Sequence, residues 1–219
     1  MQSTSLVATK ASRSKLIGVA FAGIALLAPA LSFAHVGADA GSHHGVTASV
    51  TAALTQGFAH PFTGLDHLLA MVALGVWAAT CTRRMWAAPV AFVSMMLVGA
   101  LLGQAGVALP AVEPMIGASL LVIGLLAATR AQLPTAAGVV VAGVFALFHG
   151  AAHGQEFGGA SGAAVLAGMV VATCVLHSIG LAAGCSVRSS ARASWTVWLP
   201  RAAGAAVAAF GVSMLTSLA

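Results

Sequence analysis

The sequence predicts an all-α protein that crosses a membrane six times after a cleavable signal peptide. Its 219 residues are 60% hydrophobic and only 6% charged, whereas soluble domains carry roughly 25% charged residues. The hydrophobic residues also form separate runs, most of them near the roughly twenty residues that a helix needs to cross a bilayer. Because the basic residues flank these runs, the net charge of +5 reports membrane topology and does not indicate nucleic-acid binding.

Residues 1–34 have the three parts of a signal peptide. Three basic residues precede an apolar run over residues 16–31, and the small residues Ser32 and Ala34 occupy the positions that a signal peptidase reads. We expect cleavage after Ala34, with an uncleaved signal anchor as the alternative. Either outcome delivers the following segment to the outer side of the membrane.

Residues 35–59 form the predicted external segment. Its first part is small and polar and contains His35, His43 and His44. These imidazoles are able to chelate a divalent metal ion, and the alternative is a plain flexible terminus. Its second part, residues 46–59, is compatible with a helix but too short to span the hydrocarbon, so we expect a short surface helix.

The predicted transmembrane domain, residues 60–219, contains six hydrophobic segments. Their expected bounds are residues 65–81, 86–103, 112–128, 135–149, 160–183 and 198–218. If the first begins outside, the odd-numbered spans end inside, beside every arginine of the mature chain: Arg83, Arg84, Arg130, Arg188, Arg192 and Arg201. This distribution is the one that the positive-inside rule describes. Both termini of the mature protein are then external.

The first chemical motif is HPFTGLDH at residues 60–67, where the first span opens. It supplies two imidazoles and a carboxylate: His60, Asp66 and His67. Ionisable groups beside a membrane span favour a functional site, because charge is expensive in hydrocarbon. Pro61 also fits the first turn of a helix, and Thr63 with Asp66 resembles a capping pair. Asp66 therefore has a structural alternative.

The second motif is FHGAAHGQE at residues 148–156, where the fourth span closes. His149 and His153 are four residues apart and share a helix face, with Glu156 following on the same side. By the same topology both motifs lie at the external face and can meet. Imidazole nitrogens with carboxylate oxygens suit Ni(II), Co(II), Zn(II) or Cu(II), whereas a polar helix junction or a proton relay is the alternative.

Two further ionisable residues and one glycine pair complete the predictions. Glu113 begins the third span and is expected at the external face, where it can join the two motifs. His177 lies deep in the fifth span, either as a second station on an ion pathway or as a buried histidine bonded to a group such as Ser178. A turn is expected at residues 158–159, because both are glycine.

Together the motifs resemble the two signatures of the HupE/UreJ family of nickel permeases. The likeness rests on His-x5-Asp-His followed by Leu-Leu-Ala-Met at residues 60–71, on residues 148–156, and on Glu113 ahead of an Ala-Ser pair. It implies nickel uptake that serves [NiFe]-hydrogenase or urease. The metal-handling positions that it implies are His60, Asp66, His67, His149, His153 and Glu156.

The resulting hypothesis is a bacterial inner-membrane permease, not an enzyme, that moves Ni(II), with Co(II) as a second ion. Nickel would be its transported substrate, and no permanently bound cofactor is expected. Membrane lipid and the ion are the expected partners, nucleic acid is not, and a homo-oligomer is left open. No Walker motif occurs in the sequence, so the hypothesis relies on ion gradients. A haem-binding membrane redox protein and a non-transporting metal-sensing or accessory subunit are the alternatives.

Overall fold

The computed structural model describes residues 49–159, 161–190 and 195–218. The predicted signal peptide and the external histidines, His35, His43 and His44, lie outside the described residues. The described part contains helices and no strand. Its seven helices are α1 Val50–Thr63, α2 Leu65–Cys81, α3 Ala87–Gln104, α4 Val112–Thr129, α5 Thr135–Glu156, α6 Gly162–Ser189 and α7 Trp195–Ser217.

The helices have the lengths of a multi-pass membrane protein. Helices α3 to α7 are each long and apolar enough to cross a bilayer. Helices α1 and α2 are bent by 77° at the break between them, and together they make a sixth candidate span. The all-helical membrane fold is therefore confirmed for the described residues, and α2 has the predicted bounds.

Two predicted spans end too early. Helix α5 continues past His149 to Glu156, and α6 continues to Ser189. The hydrophobic run stops at the polar motif, but the helical hydrogen bonding does not, as shown by the bond of 2.9 Å from the Phe157 amide to the His153 carbonyl. The expected turn is confirmed, because Gly159 has a φ of +91° between the two helices.

The connection between α1 and α2 corrects two predictions. Pro61 does not open a helix; it lies in the last turn of α1. Thr63 and Asp66 do not form a capping pair, since Gly64 is the N-cap of α2 and no side chain caps that end. The Thr63 hydroxyl instead donates to the His60 carbonyl oxygen at 2.8 Å, which closes α1. Asp66 is thereby left free for another role.

Glycines allow the helices to pack in close pairs. A Cβ atom at Gly150 would collide with the Met96 carbonyl, and one at Gly99 with the Leu147 carbonyl, so α3 and α5 are in backbone contact. The same holds for α1 against α6, where a Cβ at Gly57 would strike the backbone of Val165. Helices α2 and α6 also pack closely, as do α4 and α7.

The arginine-bearing helix ends lie together, at the opposite end of α2 from His67. Arg188 near the end of α6 donates to the Ala79 carbonyl oxygen at 2.9 Å. The indole of Trp77 donates to the Ala131 carbonyl oxygen, also at 2.9 Å, and so ties α2 to the segment after α4. Helix α2 has 17 residues, which corresponds to about 25 Å. The arginines within the described ranges and the two histidine motifs therefore occupy opposite ends of the bundle.

Candidate metal centre

Four imidazoles from three helices meet at the end of the bundle that lacks the arginines. His60 comes from the last turn of α1 and His67 from the first turn of α2, so the sharp bend at Gly64 turns both inward. His149 and His153 come from adjacent turns of one face of α5. We call these four residues the histidine cluster. The two sequence motifs thus come together, although 81 residues separate His67 from His149 in the numbering.

The rings of the cluster touch one another. Centroid distances are 4.6 Å between His67 and His153, 4.9 Å between His60 and His153, and 5.3 Å between His67 and His149. His60, His67 and His153 each offer a nitrogen, and these three atoms lie within 4.8 Å of one another. Imidazole nitrogens bind Zn²⁺ at about 2.0–2.1 Å in tetrahedral geometry, which places two ligand nitrogens about 3.4 Å apart. Small side-chain rotations would bring the three nitrogens onto one ion.

Two carboxylates complete the arrangement from different sides. An Asp66 carboxylate oxygen, Oδ1, lies 3.0 Å from Nδ1 of His67, and its side chain is 14% exposed. A carboxylate beside one ring nitrogen orients the ring and leaves the other nitrogen free for a metal. Glu156 is 55% exposed, and its Oε2 lies 4.0 Å from both His60 Nε2 and His153 Nδ1. It therefore stands between the cluster and the surroundings.

The cluster is buried, and most of its ring nitrogens have no hydrogen-bond partner among the described residues. His149 and His153 are 0% and 2% exposed, and the Phe157 ring lies edge-on against His60 at 5.1 Å. Both ring nitrogens of His153 and Nε2 of His67 lack a hydrogen-bond partner among the described residues, and Nδ1 of His67 has only the Asp66 carboxylate beside it. Buried polar atoms are normally paired, and a group of unpaired imidazole nitrogens needs a separate explanation. An ion bound at the cluster would provide one.

Ser119 of α4 fixes the tautomer of His149. The Ser119 hydroxyl lies 2.6 Å from the Ile116 carbonyl oxygen and 2.9 Å from Nε2 of His149. The carbonyl can only accept, so the hydroxyl donates to it and accepts from Nε2–H of the imidazole. The remaining nitrogen, Nδ1, then carries a lone pair and has no described partner. This is the arrangement typical of metal-ligating histidines.

The bend residue Gly64 is required by space. A Cβ atom there would lie 2.9 Å from His67 Nδ1 and 3.0 Å from Asp66 Oδ1. Its φ of −86° and ψ of 113° are open to other residues, so conformational freedom is not the reason for glycine. Any larger residue would press on the Asp66–His67 pair.

Two of the predicted residues are not brought into the cluster. Glu113 lies on the first turn of α4, is exposed, and forms no ion pair within the described part of the chain. His177 is buried in α6 and is separated from His149 by the ring of Phe92, which lies 5.7 Å from His149 and 5.1 Å from His177. Sequence analysis gave no role to Ser119, although an isolated hydroxyl in the apolar α4 was a usable signal.

Comparison with known proteins identifies the family of the chain. The family model described as HupE / UreJ protein matches residues 23–214. Protein HupE of Rhizobium leguminosarum bv. viciae is 41% identical over 193 residues, which cover 87% of this chain and 93% of that protein. No solved structure matches the chain. The chain is therefore a member of the HupE/UreJ family.

Proposed function

We propose that this protein is a permease that carries Ni(II) inward across the membrane, with Co(II) as a second ion. The observation that supports this best is the buried group of three imidazole nitrogens from His60, His67 and His153, all within 4.8 Å. Nitrogen ligands select late divalent transition ions over Mg²⁺ and Ca²⁺, which prefer oxygen shells. Family membership and the resemblance to nickel permeases point to the same ion and to delivery for [NiFe]-hydrogenase or urease.

The arrangement suits capture followed by release. Glu156 is the exposed member and would attract the hydrated cation first, after which the buried imidazoles replace its water. Three neutral nitrogens with carboxylates nearby make a site of moderate strength, and a transported ion must be able to leave. No thiolate joins the cluster among the described residues, which distinguishes it from a tight structural zinc site.

The direction of transport follows from the positions of the arginines. The cluster lies at the end of the bundle opposite Arg188, and arginine-rich connections face the cytoplasm in most membrane proteins. The cluster would then open to the periplasm in an inner membrane. Entry from that side with the inside-negative potential is favourable for a divalent cation.

Uptake of radioactive nickel into proteoliposomes that contain only this chain tests the proposal. His67→Ala and His149→Ala should each reduce uptake to the level of empty liposomes, because each removes an imidazole from the cluster. Asp66→Asn separates charge from shape, and we expect it to weaken nickel uptake strongly. Normal transport by Asp66→Asn would assign that residue to structure instead.

Two controls make the result specific. Glu113→Gln alters an acidic residue outside the cluster and should leave uptake near the wild-type rate. An absorbance spectrum of the purified protein tests the redox alternative, since a haem protein would show a Soret band. Tight nickel binding without any uptake would favour the metal-sensing or accessory subunit. The proposal would then be wrong.

A further inference from the structure

His177 is a buried histidine that the cluster does not explain. It lies on α6, is 2% exposed, and neither of its ring nitrogens has a hydrogen-bond partner among the described residues. It lies fifteen positions after Gly162, the first residue of α6, which is about 22 Å along the helix axis. An unpaired polar side chain this deep destabilises a fold, so it needs a compensating function.

The ring of Phe92 connects His177 to the histidine cluster. Phe92 is fully buried, and its centroid lies 5.7 Å from His149 and 5.1 Å from His177. The two imidazole centroids are consequently no more than 10.8 Å apart, the sum of those two distances. One aromatic side chain therefore contacts both the cluster and the next buried imidazole.

Sulfur and hydroxyl groups line the same contact between α3 and α6. The Thr173 hydroxyl lies 3.8 Å from the Met96 sulfur. Thr173 is one helical turn from His177, and Met96 is one helical turn from Phe92. A cavity of about 10 Å³ adjoins this contact, with His153, Met96 and Met169 among its lining residues. That volume is close to the smallest that holds one water molecule. The cavity thus adjoins the cluster at His153, and the Thr173–Met96 contact lies between the level of the cluster and that of His177.

From these contacts we propose that His177 is an inner binding station for the transported divalent cation, reached from the histidine cluster by displacement of the Phe92 ring. The proposal deepens the transport function and rests on it. A single imidazole binds a transition ion more weakly than the several imidazoles of the cluster do. Weak binding at a second site is what passage requires, because the ion must leave toward the cytoplasm.

His177→Leu is the decisive variant, because leucine fills similar space and cannot bind a metal. Nickel uptake into proteoliposomes should fall by at least about tenfold, while equilibrium nickel binding at the cluster should change by less than about twofold. The melting temperature in detergent should stay the same or rise, since an unpaired buried polar group is removed. A histidine kept only for packing predicts the opposite pattern.

A ligating replacement gives a second measurement. His177→Cys restores a metal ligand at the same position and should transport at least about threefold faster than His177→Leu. Leu181→Met, a volume-conserving change further along α6, is the matched control and should transport at the wild-type rate. His153→Gln should lose binding at the cluster itself, which separates the two sites.

Three results would overturn the inner station. The first is nickel uptake by His177→Leu at the wild-type rate, and the second is a lowered melting temperature of that variant. The third is nickel uptake by His177→Cys that is no faster than uptake by His177→Leu. Absence of nickel uptake by the wild-type protein would be a different result. It would contradict the proposed transport function and not the assignment of His177 alone.

Discussion

At the scale of single residues, hydrogen bonds decide which nitrogen of each imidazole can bind an ion. His149 donates from Nε2 to Ser119 because the Ser119 proton is committed to the Ile116 carbonyl. Asp66 lies 3.0 Å from Nδ1 of His67 and favours a proton on that nitrogen. Two of the four rings thus have a neighbour that leaves one defined nitrogen for the metal.

Ser119→Ala should weaken nickel binding without removing a ligand. The imidazole of His149 would lose the acceptor for Nε2–H and with it a fixed orientation, and such partners are typically worth about 10- to 100-fold in metal affinity. Equilibrium binding of radioactive nickel to the purified protein measures this. Ser178→Ala is a matched control, because the only partner of the Ser178 hydroxyl in the described part of the chain is the Cys174 carbonyl of its own helix. Equal affinities in both variants would contradict the role of Ser119.

The residue types of the cluster were predictable, whereas their partners were not. The spacing of His149 and His153 predicts one helix face, and the structure confirms it. The bond from His149 to Ser119 joins residues 30 positions apart, and sequence spacing contains no information about such a contact. The prediction that Pro61 opens a helix is wrong, because proline is favoured in the first turn of a helix but here is tolerated inside the last turn of α1.

At the scale of helices, backbone contact through glycine sets the positions of the ligands. Helix α5 carries two histidines and Glu156, and its Gly150 and Gly154 press against the Met96 and Ala100 carbonyls of α3. Glycines recur at every fourth position in this stretch, a spacing typical of closely packed helices. This spacing does not identify the partner helix, because small residues indicate that an interface exists but not which helix forms its other side.

Gly150→Ala should destabilise the bundle. The added methyl group would overlap the Met96 carbonyl, and overpacking of this kind costs about 1–3 kcal/mol. In a chain of this size that lowers the melting temperature by roughly 2–12 °C, which unfolding in detergent can detect. Gly158→Ala is the control, because a Cβ atom there meets nothing within 4 Å. An unchanged melting temperature for Gly150→Ala would show that the two helices can separate freely.

At the scale of the whole molecule, charge separates the two ends of the bundle. Arg188 and the arginine-bearing connections lie at one end, and the histidine cluster with Glu156 lies at the other. The sequence predicted this separation from the alternation of the spans. The sequence does not predict the bend of 77° between α1 and α2, which together make one candidate span.

Cysteine labelling tests the predicted orientation in intact cells. Ser161 and Ser189 mark the two ends of α6. In a background without native cysteines, Ser161→Cys should react with an impermeant maleimide and Ser189→Cys should react only after the membrane is opened. The arginines predict this order, because they remain on the cytoplasmic side. The reverse labelling pattern would place the histidine cluster on the cytoplasmic side and would contradict the predicted orientation.

The membrane potential should be sufficient to drive uptake. An inside-negative potential contributes about 2.3 kcal/mol per charge per 100 mV, so a divalent ion gains about twice that, which is an inward bias of roughly a thousandfold. In proteoliposomes at equal pH on both sides, a potassium gradient with valinomycin should therefore accelerate nickel uptake. A pH difference at zero potential should have little effect, because nothing in the proposed path requires a proton to cross. Uptake that followed the pH difference and ignored the potential would contradict this mechanism. His177, the one imidazole of α6, would then be the first candidate for carrying a proton.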